Sequence, residues 1–206
     1  YTIYICMVKF CRLLVCGAKG IGKSTMLNCL TYGSIEFTKY FPTIEDTFVV
    51  YLEKELGLEV RLYDTAGLLE EELNDSIDES TGGPNIPQNI RAMIHVMDAI
   101  VLVYRTTEPD SLKLVQILAA AIDSQLPKRG TKKEPMAYML IGLKRDEEDE
   151  PSVTKEAAQS WKNSDKNILL WSEICLADTK ELTESFAIFV KEVYCPTGRP
   201  TFALVT

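Results

Sequence analysis

Short apolar runs, each bounded by polar or turn-forming residues, predict buried strands along this chain. The first run, residues 8–16, stops at Gly17 and shows no alternation of apolar and polar positions, which is typical of a strand covered on both faces. Three later runs have the same character: residues 99–105, 136–143 and 168–174. Two more strands are predicted at 47–54 and 59–64, joined by a hairpin turn.

Helical patterns lie between these strands. The first helix is predicted at residues 23–32. Each later helix is expected to start at a capping residue: Asp110 or Ser111 for a helix to about residue 126, Ser152 for one to Trp161, and Asp178 for one to about Tyr194. Because strands that alternate with helices need crossover connections, the pattern predicts an α/β fold. We expect a six-stranded, mostly parallel sheet with one antiparallel strand and helices on both faces.

Composition narrows the class of protein. The 206 residues suit one domain, and 30 acidic against 22 basic side chains give a net charge of −8. This balance argues against nucleic acid or an anionic membrane as the main partner. No apolar run approaches the roughly 18 residues that cross a bilayer. Six scattered cysteines and one histidine argue against a disulfide scaffold or a zinc site, so reduced thiols and a cytoplasmic location are expected.

A phosphate-binding motif follows the first strand. Residues 17–24, GAKGIGKS, match G-x-x-x-x-G-K-[ST] between a predicted strand and a predicted helix. Backbone N–H groups of residues 19–24 are expected to point into the loop and cradle a β-phosphate. Lys23 would reach the β- and γ-phosphate oxygens, and Ser24 would hold Mg²⁺. The alternative is a glycine-rich turn with no ligand.

A second group of candidate ligands surrounds the hairpin. Asp64 ends the second hairpin strand, where a carboxylate can hold a magnesium-bound water. Gly67 can offer its backbone N–H to a γ-phosphate. Thr43, which follows Pro42 before the hairpin, offers a hydroxyl as a second magnesium ligand. These residues, in this order after the loop motif, favour a phosphate site over the turn with no ligand.

The motifs together resemble those of Ras-type small GTPases over roughly the whole length from residue 8 to 194. The string YFPTIEDTF, residues 40–48, is similar to the Ras switch I and effector loop, and LYDTAG, residues 62–67, resembles the strand that leads into switch II. The resemblance implies a P-loop NTPase G domain that binds GTP or GDP with Mg²⁺. It further implies that residues of switch I face protein partners: Tyr40, Ile44, Glu45 and Asp46.

The motif and the resemblance define the expected sites. Residues expected at the nucleotide are Gly17, Ala18, Lys19, Gly20, Ile21, Gly22, Lys23, Ser24, Thr25, Thr43, Gly67, Lys144 and Asp146. Residues expected at the metal are Ser24, Thr43 and, through a water, Asp64. In the guanine motif, Asp146 would accept from the base and the stem of Lys144 would lie along its plane.

Two departures from the Ras pattern concern hydrolysis. Leu68 follows Gly67, where Ras proteins carry the Gln that orients the attacking water, and a Leu side chain has no donor or acceptor. Lys19 stands where Ras has Gly, and its bulk and charge would oppose an arginine finger from an activating protein. We therefore expect slow or absent turnover and name no catalytic residue. The alternative that Lys19 itself stabilises γ-phosphate charge stays open.

A third departure concerns the base. The motif expected as N-K-x-D reads LKRD at residues 143–146, and Leu143 cannot make the hydrogen bonds of an Asn. One lost bond usually costs about 0.5–1.5 kcal/mol, so guanine binding is expected to be weakened. The alternative is a strand end that is merely packed.

The first two departures, at Leu68 and Lys19, and the absence of a lipidation Cys at the end of the chain resemble the kappaB-Ras group, the NF-kappa-B-inhibitor-interacting Ras-like proteins. That resemblance implies a binding module that retains NF-kappa-B through its inhibitor proteins or supports the Ral GTPase-activating complex. A conventional cycling GTPase and a nucleotide-free scaffold remain alternatives. The expected plan is an upstream segment that can be disordered at 1–7, a G domain at 8–195 with an acidic switch II insert at about 68–88, and a tail at 196–206 without a membrane anchor.

Overall fold

The computed structural model describes residues 9–33, 45–53, 58–69, 71, 73, 86–125, 136–144 and 155–194. Several residues and segments singled out in the sequence lie outside the described residues: Tyr40, Thr43, Ile44, Asp146, Ser152, the termini 1–8 and 195–206, and most of the switch II insert.

The strands form one mixed sheet, which confirms the predicted α/β class. Its strands are β1 (Lys9–Gly17), β2 (Glu45–Glu53), β3 (Leu58–Thr65), β4 (Ala99–Arg105), β5 (Ala137–Lys144) and β6 (Ile168–Cys175). Their order across the six-stranded sheet is β2-β3-β1-β4-β5-β6. Only the β2–β3 pair is antiparallel among these strands, as the hairpin in the sequence predicts.

Helices connect the strands. They are α1 (Lys23–Tyr32), α2 (Gln88–Met93), α3 (Pro109–Gln125), α4 (Lys155–Ser164) and α5 (Thr179–Tyr194). No helix in the described part of the chain is long and apolar enough to cross a membrane.

Two hydrophobic cores cover the two faces of the sheet. One core joins α1 and α5 to residues such as Leu13 and Val15 of β1. The other joins α2, α3 and α4 to the opposite side chains of the same strands, and Trp161 and Trp171 pack against it. Because neighbouring side chains on β1 enter different cores, the unbroken apolar run in the sequence corresponds to a strand buried on both faces.

Two predicted helix boundaries are wrong, and a third is confirmed. The helix α3 begins at Pro109, so Asp110 and Ser111 lie inside it and do not cap it; the Ser111 hydroxyl instead accepts a hydrogen bond from the backbone N–H of Arg105 at 2.9 Å. Helix α4 ends at Ser164, beyond the predicted end at Trp161. Asp178 does cap α5, since its Oδ1 accepts hydrogen bonds from the backbone N–H groups of Lys180 and Glu181 at 3.1 and 2.9 Å.

The sheet topology brings the candidate site together. Strand β1 lies between β3 and β4, so the carboxyl ends of these three parallel strands meet at one edge. The Thr65 hydroxyl donates to the Val15 carbonyl at 2.8 Å and fixes the end of β3 against β1. Two described residues of the insert, Leu73 and Ile86, are buried in the core with α2 and α3.

Candidate nucleotide-binding site

The loop between β1 and α1 adopts backbone conformations that suit glycine. Gly20 and Gly22 have φ values of +77° and +103°, in the left-handed region that L side chains rarely occupy. Gly17 is required for a different reason: a Cβ added there would lie 2.2 Å from the Val103 carbonyl oxygen of β4. The glycines of the motif therefore shape the loop and allow it to lie close to β4.

Lys23 turns its ammonium back over the start of the loop. Its Nζ donates to the Gly17 and Ala18 carbonyls at 3.2 and 3.0 Å, and the residue is only 6% exposed. Burial lowers the pKa of Lys23, while the negative charge of Asp64 opposes that change. A buried cation held at the mouth of the loop is the charge that a phosphate group needs.

Ser24 and Asp64 meet beside this cation. The Ser24 hydroxyl donates to Asp64 Oδ2 at 2.5 Å, although the two residues belong to α1 and β3. Asp64 is fully buried, and burial is the main cause that raises its pKa, with Asp46 across the β2–β3 pair adding to the effect. Its second oxygen, Oδ1, has no hydrogen-bond partner among the described residues.

This orphaned oxygen fits a bound magnesium. Mg²⁺ prefers oxygen ligands and usually keeps several waters, so a hydroxyl and a nearby carboxylate are a suitable pair of donors. A buried acceptor without a partner is costly, and a metal-bound water would satisfy Asp64 Oδ1. Ser24 would hold such an ion directly and Asp64 through water. When bound, Mg²⁺ neutralises charge on the β- and γ-phosphates.

The segment after β3 pairs with the phosphate loop. The N–H of Leu68 donates to the Gly17 carbonyl at 3.0 Å, and the N–H of Lys19 donates to the Leu68 carbonyl at 3.1 Å. Together they make a parallel bridge between Ala18 and Leu68. The Lys19 N–H, which the sequence predicts to face a phosphate, is therefore taken by Leu68.

Close packing accompanies this bridge. A Cβ added to Gly67 would lie 2.1 Å from Lys19 Cα, so only glycine fits at this approach. The Leu68 side chain is 3% exposed and lies in the core beneath α2 and α3, with Leu14, Cys16 and Ile90. Residue 68 thus has its backbone fixed to the loop and its side chain directed into the core.

Two leucine side chains, those of Leu143 and Leu176, lie close to the phosphate loop on the side where the guanine base is expected. Leu143 is 2% exposed, and its Cδ1 lies 3.6 Å from the position of a Cβ built on Gly22, with Leu176 at 3.8 Å. Lys144 forms an ion pair, its Nζ 3.2 Å from Glu173 Oε2. Glu173 therefore holds the lysine that the resemblance places along the base plane.

Comparison with known proteins agrees with this geometry. The model of the Ras family matches residues 12–195. The chain belongs to the Ras family. It is 31% identical to human NF-kappa-B inhibitor-interacting Ras-like protein 2 over 96% of this chain and 94% of that protein. The human protein 1 of the same name is also 31% identical, over 96% of this chain and 93% of its own length. The Danio rerio protein 1 is 30% identical over the same shares.

In this Ras-family chain, the structure brings together one part of the expected site. One edge of the sheet carries loop residues 17–24, Thr25 in the first turn of α1, Asp64 and Gly67. Lys144 ends β5 at the same edge. Asp46 lies on β2 with an exposed side chain, and Glu45 begins that strand. Thr43 and Asp146, with Tyr40 and Ile44, belong to segments outside the described residues.

Sequence reasoning missed two charged residues of this Ras-family site. Glu173 lies on β6 opposite Gly142 of β5 and pairs with Lys144, and no local signal in the sequence selects it. Arg105 ends the apolar strand β4, and its Nη2 donates to the Gly20 carbonyl at 3.0 Å. The sequence did contain a signal for Arg105: it is a charged residue at the carboxyl end of a buried strand, which is the edge of the sheet where the site forms.

Proposed function

We propose that this protein is a guanine-nucleotide-binding Ras-like regulator with impaired GTP hydrolysis, which acts mainly by binding partner proteins in its GTP state. The guanine nucleotide and Mg²⁺ follow from membership of the Ras family. Lys23 would bind the phosphates, and Ser24 and Asp64 would hold Mg²⁺ as described above.

The position of Leu68 is the observation that carries the proposal. An attacking water needs a polar group to orient it, and position 68 supplies only an apolar side chain buried away from the loop mouth. Two backbone hydrogen bonds fix that position to Gly17 and Lys19. Lys19 itself adds a bulky cation at the loop, which would oppose an approaching arginine finger. Both features favour slow hydrolysis.

The choice of partner rests on the relatives. The proteins that this chain resembles are named as NF-kappa-B inhibitor-interacting Ras-like proteins. We infer that this chain binds NF-kappa-B inhibitor proteins, or supports a Ral GTPase-activating complex as the kappaB-Ras resemblance implies. Glu45 and Asp46, on the edge strand β2, would contribute to such an interface.

Single-turnover hydrolysis tests the enzymatic part of this proposal. Protein loaded with γ-labelled GTP is expected to release phosphate very slowly, with or without candidate activating proteins. Strong acceleration by any of them would contradict the proposal and support a conventional cycling GTPase that uses groups of a partner.

A binding assay tests the other part. The GTP-loaded protein is expected to bind an NF-kappa-B inhibitor protein or a Ral GTPase-activating complex, and Asp46→Ala is expected to weaken that binding. Asp110→Ala is the matched control, because Asp110 is an exposed carboxylate on α3, remote in sequence from β2. Equal effects of the two variants, or no binding at all, would contradict the partner assignment.

One observation favours a second candidate, a nucleotide-free scaffold. Leu143 and Leu176 place apolar groups beside Gly22 on the base side of the loop. If they prevent base binding, Mg²⁺·GTP will not raise the melting temperature, whereas a bound nucleotide stabilises the fold by mass action.

A further inference from the structure

Arg105 links the end of β4 to the phosphate loop. Its Nη2 donates to the Gly20 carbonyl at 3.0 Å, across 85 positions of sequence, and its Nη1 donates to Glu108 Oε1 at 2.9 Å. The Arg105 side chain is 31% exposed, so it lies at the rim of the site rather than in the core. The ion pair with Glu108 fixes the guanidinium on one side while the other side reaches the loop.

The turn that carries Arg105 is itself held by hydrogen bonds. The N–H of Arg105 donates to the Ser111 hydroxyl at 2.9 Å, and the Ser111 hydroxyl donates to the Glu108 carbonyl at 2.6 Å. The N–H of Glu108 donates to the Arg105 carbonyl at 3.0 Å. Because these hydrogen bonds hold both ends of the turn, the backbone that carries the Arg105 side chain has a fixed position.

The next residue, Thr106, contacts the strand end that carries the guanine motif. The N–H of Thr106 donates to the Leu143 carbonyl at 3.1 Å, and its hydroxyl donates to the same oxygen at 3.3 Å. Adjacent residues of one turn therefore hold the phosphate loop, through Gly20, and the strand end of the guanine motif, through Leu143. The Leu143 side chain contacts the loop only through apolar atoms, so the polar contact comes from Arg105.

The contact with Gly20 determines which way one peptide unit faces. In a trans peptide the C=O and the following N–H point in opposite directions. Because Arg105 donates to the Gly20 carbonyl, the Ile21 N–H of the same peptide points away from the guanidinium. A cationic donor on the carbonyl also polarises that peptide and strengthens its N–H as a donor.

We propose that Arg105 is a positioning residue for the nucleotide phosphates, which acts through the Gly20–Ile21 peptide. The proposal rests on the proposed nucleotide binding and adds a residue to that site. Arg105 does not touch the nucleotide in this account. Its contribution is to keep one N–H of the loop aimed at a phosphate oxygen while Leu143 supplies only packing.

The test is the dissociation rate of a fluorescent GDP analogue from full-length protein with Mg²⁺. Arg105→Ala is expected to raise that rate about tenfold, the scale of one hydrogen bond from a charged group. Arg105→Lys, which keeps a cationic donor, is expected to restore part of the loss. Lys113→Ala is the matched control: it removes one positive charge from α3 close to the same turn and is expected to leave the rate unchanged.

A second readout separates positioning from general destabilisation. The amide proton of Ile21 in the GDP-bound protein is expected to move upfield in Arg105→Ala, while the melting temperature of the nucleotide-free protein stays the same. An unchanged dissociation rate and an unchanged Ile21 resonance would overturn the proposal. A wild-type protein that binds no nucleotide would overturn the proposed function instead, so the two failures are distinguishable.

Discussion

The backbone N–H of Lys19 donates a hydrogen bond to the carbonyl oxygen of Leu68 at 3.1 Å. This bond joins the phosphate loop to the segment that follows β3, and the Leu68 N–H completes the pairing through Gly17. This pairing directs the side chain of residue 68 into the core, although this is the position from which Ras proteins orient the attacking water. The proposed impairment of hydrolysis therefore rests on the direction of side chain 68 as well as on its residue type.

Substitution of Leu68 by Gln tests this arrangement. Leu68→Gln is expected to lower the free energy of unfolding by about 1–3 kcal/mol, because the amide enters an apolar core without a partner. It is not expected to accelerate GTP hydrolysis, since the backbone directs the side chain away from the loop. Chemical denaturation and single-turnover hydrolysis measure the two effects.

Leu68→Met is the control for that experiment. It conserves volume and polarity and is expected to cost less than about 1.5 kcal/mol. If Leu68→Gln instead hydrolyses GTP clearly faster than the wild type, then the pairing with the loop does not decide the chemistry, and the account of slow turnover is wrong.

Gly67→Ala tests the pairing directly. The added Cβ would lie 2.1 Å from Lys19 Cα, so the two segments must separate. We expect a loss of about 2 kcal/mol or more in unfolding free energy and faster hydrogen exchange at the Lys19 and Leu68 amides. Gly33→Ala is the control. Gly33 has φ +71° and open space around its Cβ position, so Gly33→Ala bears only the cost of the left-handed backbone, about 1–2 kcal/mol. Equal losses in the two variants would refute the close approach.

Asp64→Asn distinguishes the contribution of Asp64 to metal binding from its contribution to the stability of the fold. Burial raises the pKa of Asp64, which means that the folded state disfavours its charge. Removing the charge is therefore expected to keep or raise the stability of the nucleotide-free protein. The same change is expected to abolish the effect of Mg²⁺ on nucleotide dissociation. Asp46→Asn, at the exposed neighbour across the β2–β3 pair, is expected to keep the Mg²⁺ effect. A Mg²⁺ effect that survives Asp64→Asn would exclude Asp64 from the site.

The buried cysteines predict a loss of stability in alkaline solution. Burial raises the pKa of Cys11 and of Cys16 to about 12, from an ordinary value of 9.0. Between these values the unfolded chain releases the thiol protons and the folded chain keeps them, so stability falls as pH rises above about 9. The slope is about 1.4 kcal/mol per pH unit for each thiol. Denaturation of Cys16→Ala over this range is expected to show a smaller slope than the wild type; an identical slope would contradict the assignment.

Much of the fold is predictable because its signals are local. Strands β1, β4 and β5 are apolar runs, and their predicted ends agree with the structure to within one residue. The phosphate motif is equally local, because its glycines, Lys23 and Ser24 are consecutive in the chain. Asp178 could be identified as a cap for the same reason: its partners are the next two N–H groups after Thr179.

The contacts that sequence reasoning missed are long-range. Arg105 and Gly20 meet only because β4 pairs with β1, and the pairing of Leu68 with the loop depends on where β3 ends. The failed cap at Ser111 has a related cause. A local rule assigns its hydroxyl to the start of a helix, but the N–H of Arg105 competes for it and holds the turn that carries the guanidinium.

Identification of the nucleotide released from protein purified from cells tests the central claim most directly. Slow hydrolysis together with an intact Lys23, Ser24 and Asp64 predicts that denatured protein releases mostly GTP, in close to one-to-one amount with the protein. Mostly GDP would contradict impaired hydrolysis. Release of no nucleotide would contradict binding itself and favour the scaffold.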